Sequence, residues 1–153
     1  MPISESSQIK KYITKRLLHE NTKDLSFFCE QVSHDTLGSL FFLSLLYVEP
    51  LSIKEVIFIT SDFHMSRVKG ILIELKRLGF YKNCEFFFEA CSSTYSEVKL
   101  KARINYENTS LIKIQSQLKL LKTREDFFIN FITNHSCYNC SYHGRIIEED
   151  ELY

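Results

Sequence analysis

A short apolar run rich in β-branched residues, Glu55-Val56-Ile57-Phe58-Ile59-Thr60, passes within two or three residues into a helical pattern. A run of this length and type suits a central strand of a parallel sheet, covered on both faces. The pattern behind it starts at about Asp62 and carries Met65, Val68, Ile71, Leu72, Leu75 and Leu78 on one stripe. It ends at Gly79, the residue a helix terminus favours. A further strand over 84–89, Cys84-Glu85-Phe86-Phe87-Phe88-Glu89, completes a βαβ unit. Such units have right-handed crossovers and belong to α/β folds.

The same alternation extends towards the N-terminus. Residues 25–29, Leu25-Ser26-Phe27-Phe28-Cys29, predict a short strand. Ser33 to Thr36 supply cap residues for an apolar helix that runs to about Val48, and Pro50 falls in the loop after it. Residues 5–18 predict an amphipathic helix. Ile9, Tyr12, Ile13 and Leu17 form its apolar side, Lys10, Lys11, Lys15 and Arg16 lie mostly outside, and Ser4 stands at its start. After Ser93 the pattern changes. Residues 95–122 read as helix with a break near Asn105 to Asn108, and a second short helix spans 125–133. Residues 135–153 are polar and carry the run Glu148-Glu149-Asp150-Glu151, which predicts a solvated tail. The chain thus divides into an α/β domain (1–94), a helical extension packed on it (95–134) and a tail (135–153).

The 153 residues suit one domain with a real core. Basic and acidic residues number 19 each, so net charge gives no argument for nucleic acid or a membrane surface. The basic face at Lys10 to Arg16 has no aromatic residues interleaved in a nucleic-acid-binding pattern. Met1-Pro2-Ile3-Ser4-Glu5 lacks the basic-then-apolar pattern of an export signal. The longest apolar run, 37–48, falls short of the roughly 20 residues a membrane helix needs. The expectation is a cytoplasmic protein with no membrane span and with reduced thiols.

Chemistry concentrates at the two strand–helix junctions. In open α/β sheets, ligands bind beyond the carboxyl ends of the strands, where helix N-termini offer free N–H groups to an anion. At the second junction Thr60 and Ser61 add hydroxyl groups, Asp62 can cap the helix, and His64 and Arg67 share a helical face. Arg67 can hold a carboxylate or phosphate bidentately, and His64 can move a proton near neutral pH. The first junction, Glu30 to Thr36, is also rich in hydroxyl and carboxyl groups. Taken alone, each junction also fits plain helix capping with a surface ion pair at Arg67, and that is the commoner case.

Three blocks of sequence resemble the DUF218 (YdcF/SanA/ElyC-like) family in order and approximate spacing. Ser4-Glu5 with Ile9, Tyr12 and Ile13 looks like the family's Ser-Glu-Ala helix. Glu30, Ser33, Asp35 and Thr36 resemble its Glu-x-x-Ser-x-Asn-Thr segment. Thr60-Ser61-Asp62-Phe63-His64-Met65-Ser66-Arg67 resembles its Thr-Ser-x-Tyr/Phe-His-x-x-Arg block, the most specific of the three. The resemblance covers about residues 4–80. It implies a Rossmann-like parallel sheet of three or more strands, flanked by helices, with a small polar ligand. Expected ligands are a phosphorylated metabolite or a nucleotide-type cofactor such as S-adenosylmethionine. The implied site has His64 and Arg67 as catalytic groups, and Glu30, Ser33, Asp35, Thr36, Thr60 and Ser61 as ligand-binding groups. Two departures stand against it. Gly38 and Ser39 occupy places where the family has Glu and Asn. The family's first strand and Gly-rich loop also precede its Ser-Glu helix, and here the chain starts at that helix. A second reading therefore stays open: a non-catalytic remnant that acts as an interaction module and pairs through an exposed sheet edge.

Among the remaining residues, His135-x-Cys137-x-x-Cys140-x-x-His143 contains four metal-binding side chains. No second, distant ligand pair accompanies it, so the plain tail is the reading adopted. Cys29, Cys84 and Cys91 fall in or beside expected strands and are read as core packing. His34 is read as exposed, and neither it nor His19 has a partner that the sequence names.

Overall fold

The computed structural model describes residues 5–17, 26 and 28–139. In chain order the described elements are α1 (Glu5–Leu17), α2 (Thr36–Leu43) prolonged by a π-helical turn (Ser44–Val48), β1 (Glu55–Ser61), α3 (Asp62–Arg77), β2 (Glu85–Cys91), α4 (Glu97–Leu118) and α5 (Arg124–Asn134). β1 and β2 pair in parallel, with Glu55 opposite Glu85 and Ser61 opposite Cys91. The crossover between them is α3, so the βαβ unit read from the sequence is present. Gly79 ends α3 with φ +92°, and Phe80 N–H reaches back to the Leu75 carbonyl at 3.0 Å. That geometry is easy for glycine because it has no Cβ.

Among the described residues the sheet has two strands. Ser26, Phe28 and Cys29 stand outside any strand, and Leu25 and Phe27 lie outside the described residues, as do Ser4, His19 and residues 140–153. The expectation of a sheet covered on both faces is corrected. Burial alternates along β1: Val56 and Phe58 face inward to α3, whereas Ile57 and Ile59 are 65% and 68% exposed. Phe87 on β2 continues that open face. On the covered face, Lys69 and Lys76 of α3 lie over the rings of Phe88 and Phe86.

The core forms where α2, α3, the Phe80–Tyr81 turn and α5 meet. Ile71, Leu72 and Leu75 of α3 are fully buried with Phe80, Tyr81 and Phe127. The Phe41 ring touches Phe80, Phe127 and Phe131 at centroid distances of 5.5, 5.1 and 4.8 Å. The helices after residue 95 therefore share the core of the α/β part. Arg124 clamps Glu49 with two hydrogen bonds, 3.0 and 2.7 Å, which ties the start of α5 to the end of the helix that begins at Thr36.

Two helices depart from expectation. α4 runs unbroken through Asn105 to Asn108, because tertiary contacts of Glu107 outweigh the weak local preference of asparagine. α1 forms as read, but Ile9 and Tyr12 are 50% and 59% exposed and Ile13 is open as well, so its apolar side is not covered by described residues. Of the cysteines read as core, Cys84 is buried, Cys29 is half-buried and Cys91 is exposed, because Cys91 ends β2 on the open face. No helix among the described residues is long and apolar enough to cross a membrane.

Candidate functional site

Both junctions come together at the carboxyl end of β1. A cavity of about 470 Å³ lies between them, lined by Ser33, Asp35, Thr36 and Ser39 on one side and by Phe58, Ile59, Thr60 and His64 on the other. Consecutive strand residues point to opposite faces. A cavity bounded by Phe58, Ile59 and Thr60 together therefore abuts the edge of β1, on the side away from β2.

Each wall is set by local hydrogen bonding. The Asp35 carboxylate caps α2 by accepting the Gly38 N–H at 2.8 Å. This places Thr36 in the first turn with its hydroxyl towards α3. The Glu30 carboxylate folds back on its own loop, where it accepts the N–H groups of Val32 and Ser33 and the Ser33 hydroxyl. Ser39 Oγ donates to Ser33 Oγ at 2.9 Å. Glu30 thus shapes the loop and is not among the cavity's lining residues. Ser61 is the N-cap residue of α3 without a side-chain cap bond, and it too is absent from the lining. Asp62 Oδ1 accepts the Phe63 N–H at 2.7 Å, so the start of α3 carries its own carboxylate.

His64 is the hinge of the arrangement. Its Nε2 stands 3.4 Å from Thr36 Oγ1, and its Nδ1 stands 2.7 Å from Glu107 Oε2. Arg67 Nη1 donates to the same Glu107 oxygen at 3.2 Å, and Arg103 Nε lies 3.3 Å from the other oxygen without hydrogen-bond alignment. Glu107 is 1% exposed. A carboxylate this deep persists only when paired, and here one histidine and two guanidinium groups surround it. Arg67 is thus engaged with Glu107 beneath the cavity and does not line it, although its charge is felt at Asp35.

Glu107 escaped the sequence reading, and so did the contribution of the chain after residue 134. The signal for Glu107 lies in its spacing. Glu107, Leu111, Ile114 and Leu118 follow one helical stripe, so a lone carboxylate occupies a core-facing position. At the C-terminal end, His135 Nε2 pairs with Asp35 Oδ2 at 3.0 Å, and the Tyr138 ring stacks on Phe131. His34 is exposed as read, but its N–H donates to the Tyr138 hydroxyl at 2.6 Å. Residues 135–139 are therefore a packed segment, not part of a solvated tail.

Burial raises the pKa of Asp35, but the His135 and Gly38 hydrogen bonds and the His135 and Arg67 charges outweigh it, so the carboxyl titrates below its ordinary value. Burial pushes the Cys137 thiol up, helped by the Asp35 charge, and burial likewise raises the Tyr138 phenol. No family model matches the chain, and no curated protein or solved structure does so.

Proposed function

We propose that this chain is a DUF218-like α/β domain that binds a small anionic or nucleotide-like ligand in the cavity at the carboxyl end of β1. His64 serves there as the proton-transfer group. The observation that carries the reading is the chain of contacts Thr36 Oγ1, His64 Nε2, His64 Nδ1 and Glu107 Oε2, at 3.4 and 2.7 Å, which opens on that cavity. A carboxylate at Nδ1 holds the imidazole in one orientation and leaves Nε2 facing the ligand, the arrangement that general acid–base chemistry requires. Glu107 is then a positioning residue, held in place by its ion pairs with Arg67 and Arg103. Ser33, Thr36 and Thr60 orient the ligand by their hydroxyls. Asp35 contributes through the cap that presents Thr36, and Glu30 through the loop that presents Ser33. A Rossmann-like sheet of three or more strands would extend from the edge of β1 away from β2, with the cavity at its carboxyl end.

A second reading competes for the same edge. The open face at Ile57, Ile59 and Phe87 and the edge at residues 58–60 would suit a second copy of this chain. Two such edges related by a two-fold axis would pair antiparallel.

One set of measurements separates the two. A thermal-shift screen against nucleotides, S-adenosylmethionine and sugar phosphates should find a ligand that raises the melting temperature, since binding to the native state alone must stabilise it. His64→Ala and Thr36→Val should lose that shift while staying folded, and Glu107→Gln should weaken it and alter its pH profile. Full shifts in both His64→Ala and Thr36→Val would overturn the assignment. Absence of any shift, together with a stable dimer by light scattering, would favour the second reading.

A further inference from the structure

Asp35 and the segment at 135–137 are far apart in sequence, yet a carboxylate oxygen of Asp35, a ring nitrogen of His135 and the Cys137 sulfur all lie within 4.8 Å of one another. Asp35 Oδ2 and His135 Nε2 are already 3.0 Å apart. All three side chains are half-buried, so they are partly desolvated yet reachable. Imidazole, thiolate and carboxylate are the ligands of zinc, at bond lengths of roughly 2.0–2.3 Å around a tetrahedron. Donor atoms this close can close on one ion with small side-chain adjustments.

The surroundings fit the same chemistry. Metal-bound side chains are commonly held by an outer layer of hydrogen bonds. Here the second oxygen of Asp35 accepts the Gly38 N–H at 2.8 Å and faces the Tyr138 hydroxyl at 3.4 Å. His135 is set by ring contacts with Phe131 and Tyr138, at centroid distances of 5.1 Å each. A cation would take the place of the proton shared by Asp35 and His135, and the Cys137 thiol would release its proton to solvent on binding.

We propose that Asp35, His135 and Cys137 form a divalent-cation site of zinc type that fastens the C-terminal segment to the start of α2. With three protein donors, the fourth position of the tetrahedron is left for water or a ligand. Because Asp35 also lines the cavity, the ion sits at its rim. The site does not depend on the role assigned to His64, since none of its three donors belongs to the His64–Glu107 pair.

The test uses the full chain, reduced, stripped with a chelator and titrated with zinc alone, then with cobalt(II) as a spectroscopic probe. The expected result is one equivalent of zinc, a rise in melting temperature, and a cobalt–thiolate charge-transfer band. His135→Ala and Cys137→Ser should each weaken zinc binding by more than the roughly 10–100-fold that loss of an outer partner costs. Cys137→Ser should also abolish the band. Asp35→Asn, which keeps an acceptor for the Gly38 N–H and so preserves the helix cap, should weaken binding as well. Circular dichroism verifies that each variant is folded. Failure of the wild-type chain to bind stoichiometric zinc would overturn the proposal. So would zinc binding that survives Asp35→Asn and Cys137→Ser unchanged but is lost in Cys140→Ser, because the ion would then belong to the sequence beyond Cys137 alone.

Discussion

Single residues decide the shape of the cavity. Gly38 is one such residue, and the structure gives a steric reason for its lack of a side chain. A Cβ on Gly38 would meet Cζ of Tyr138 at 2.6 Å, with the Tyr138 hydroxyl closer still. That ring has little room to retreat, because it stacks on Phe131 and packs against Phe42. Gly38→Ala should therefore destabilise the chain by about 1–3 kcal/mol, as overpacking of a filled interior does. Urea unfolding followed by circular dichroism reads this directly. A variant as stable as the parent would show that Tyr138 does not hold this place. Glu107 is the opposite case, a polar residue in an apolar position, tolerated because His64, Arg67 and Arg103 converge on it.

At the scale of elements, α2 and α5 owe their starts to side-chain caps. α5 starts at a reciprocal capping box: Thr123 Oγ1 accepts the Asp126 N–H, and Asp126 Oδ2 accepts the N–H groups of Lys122 and Thr123, each at 3.0 Å. The Lys122 and Thr123 bonds hold the Asp126 carboxyl below its ordinary pKa. A carboxyl whose folded pKa is depressed contributes stability above the unfolded value and loses it as pH falls through the folded one. Asp126→Ala should thus lower the urea midpoint at neutral pH, and the gap to the parent should close under acid conditions below the carboxylate range. A gap that stays constant down to the acid limit would rule out the cap as its source. At the other end of α4, Arg77 donates to the Leu118 and Leu121 carbonyls at 2.8 and 3.0 Å while pairing with Glu74. One side chain of α3 thereby closes the helix that packs along it.

At the scale of the whole molecule, the aromatic cluster joins the α/β part to the later helices. Phe127 is 1% exposed and touches Phe41, Phe80 and Phe131. Phe127→Ala should cost about 3–5 kcal/mol by the loss of buried surface and the cavity left behind. If residues 95–134 were a separate appendage, the substitution would leave the main unfolding transition in place. A single transition shifted to lower denaturant, by circular dichroism, is the expected outcome. Among the described residues the sheet has two strands and is less complete than the helical layer. A parallel pair with Ile57, Ile59 and Phe87 exposed departs from the rule that such sheets are covered on both faces.

Local order was legible in the chain. The run Val56 to Thr60, the stripe from Met65 to Leu78 and the stop at Gly79 determine β1, α3 and its end, because backbone preference and side-chain period act within a few residues. The meeting of Thr36 with His64 matches the expected convergence of the two junctions, although no strand among the described residues precedes α2. The tertiary structure alone decided that Glu107 lies under His64, that Arg67 turns to that carboxylate and away from the cavity, and that His135, Cys137 and Tyr138 close on Asp35 and Gly38. These contacts join residues far apart along the chain. Their partners are chosen by how α3, α4 and α5 pack in space, which no local pattern encodes.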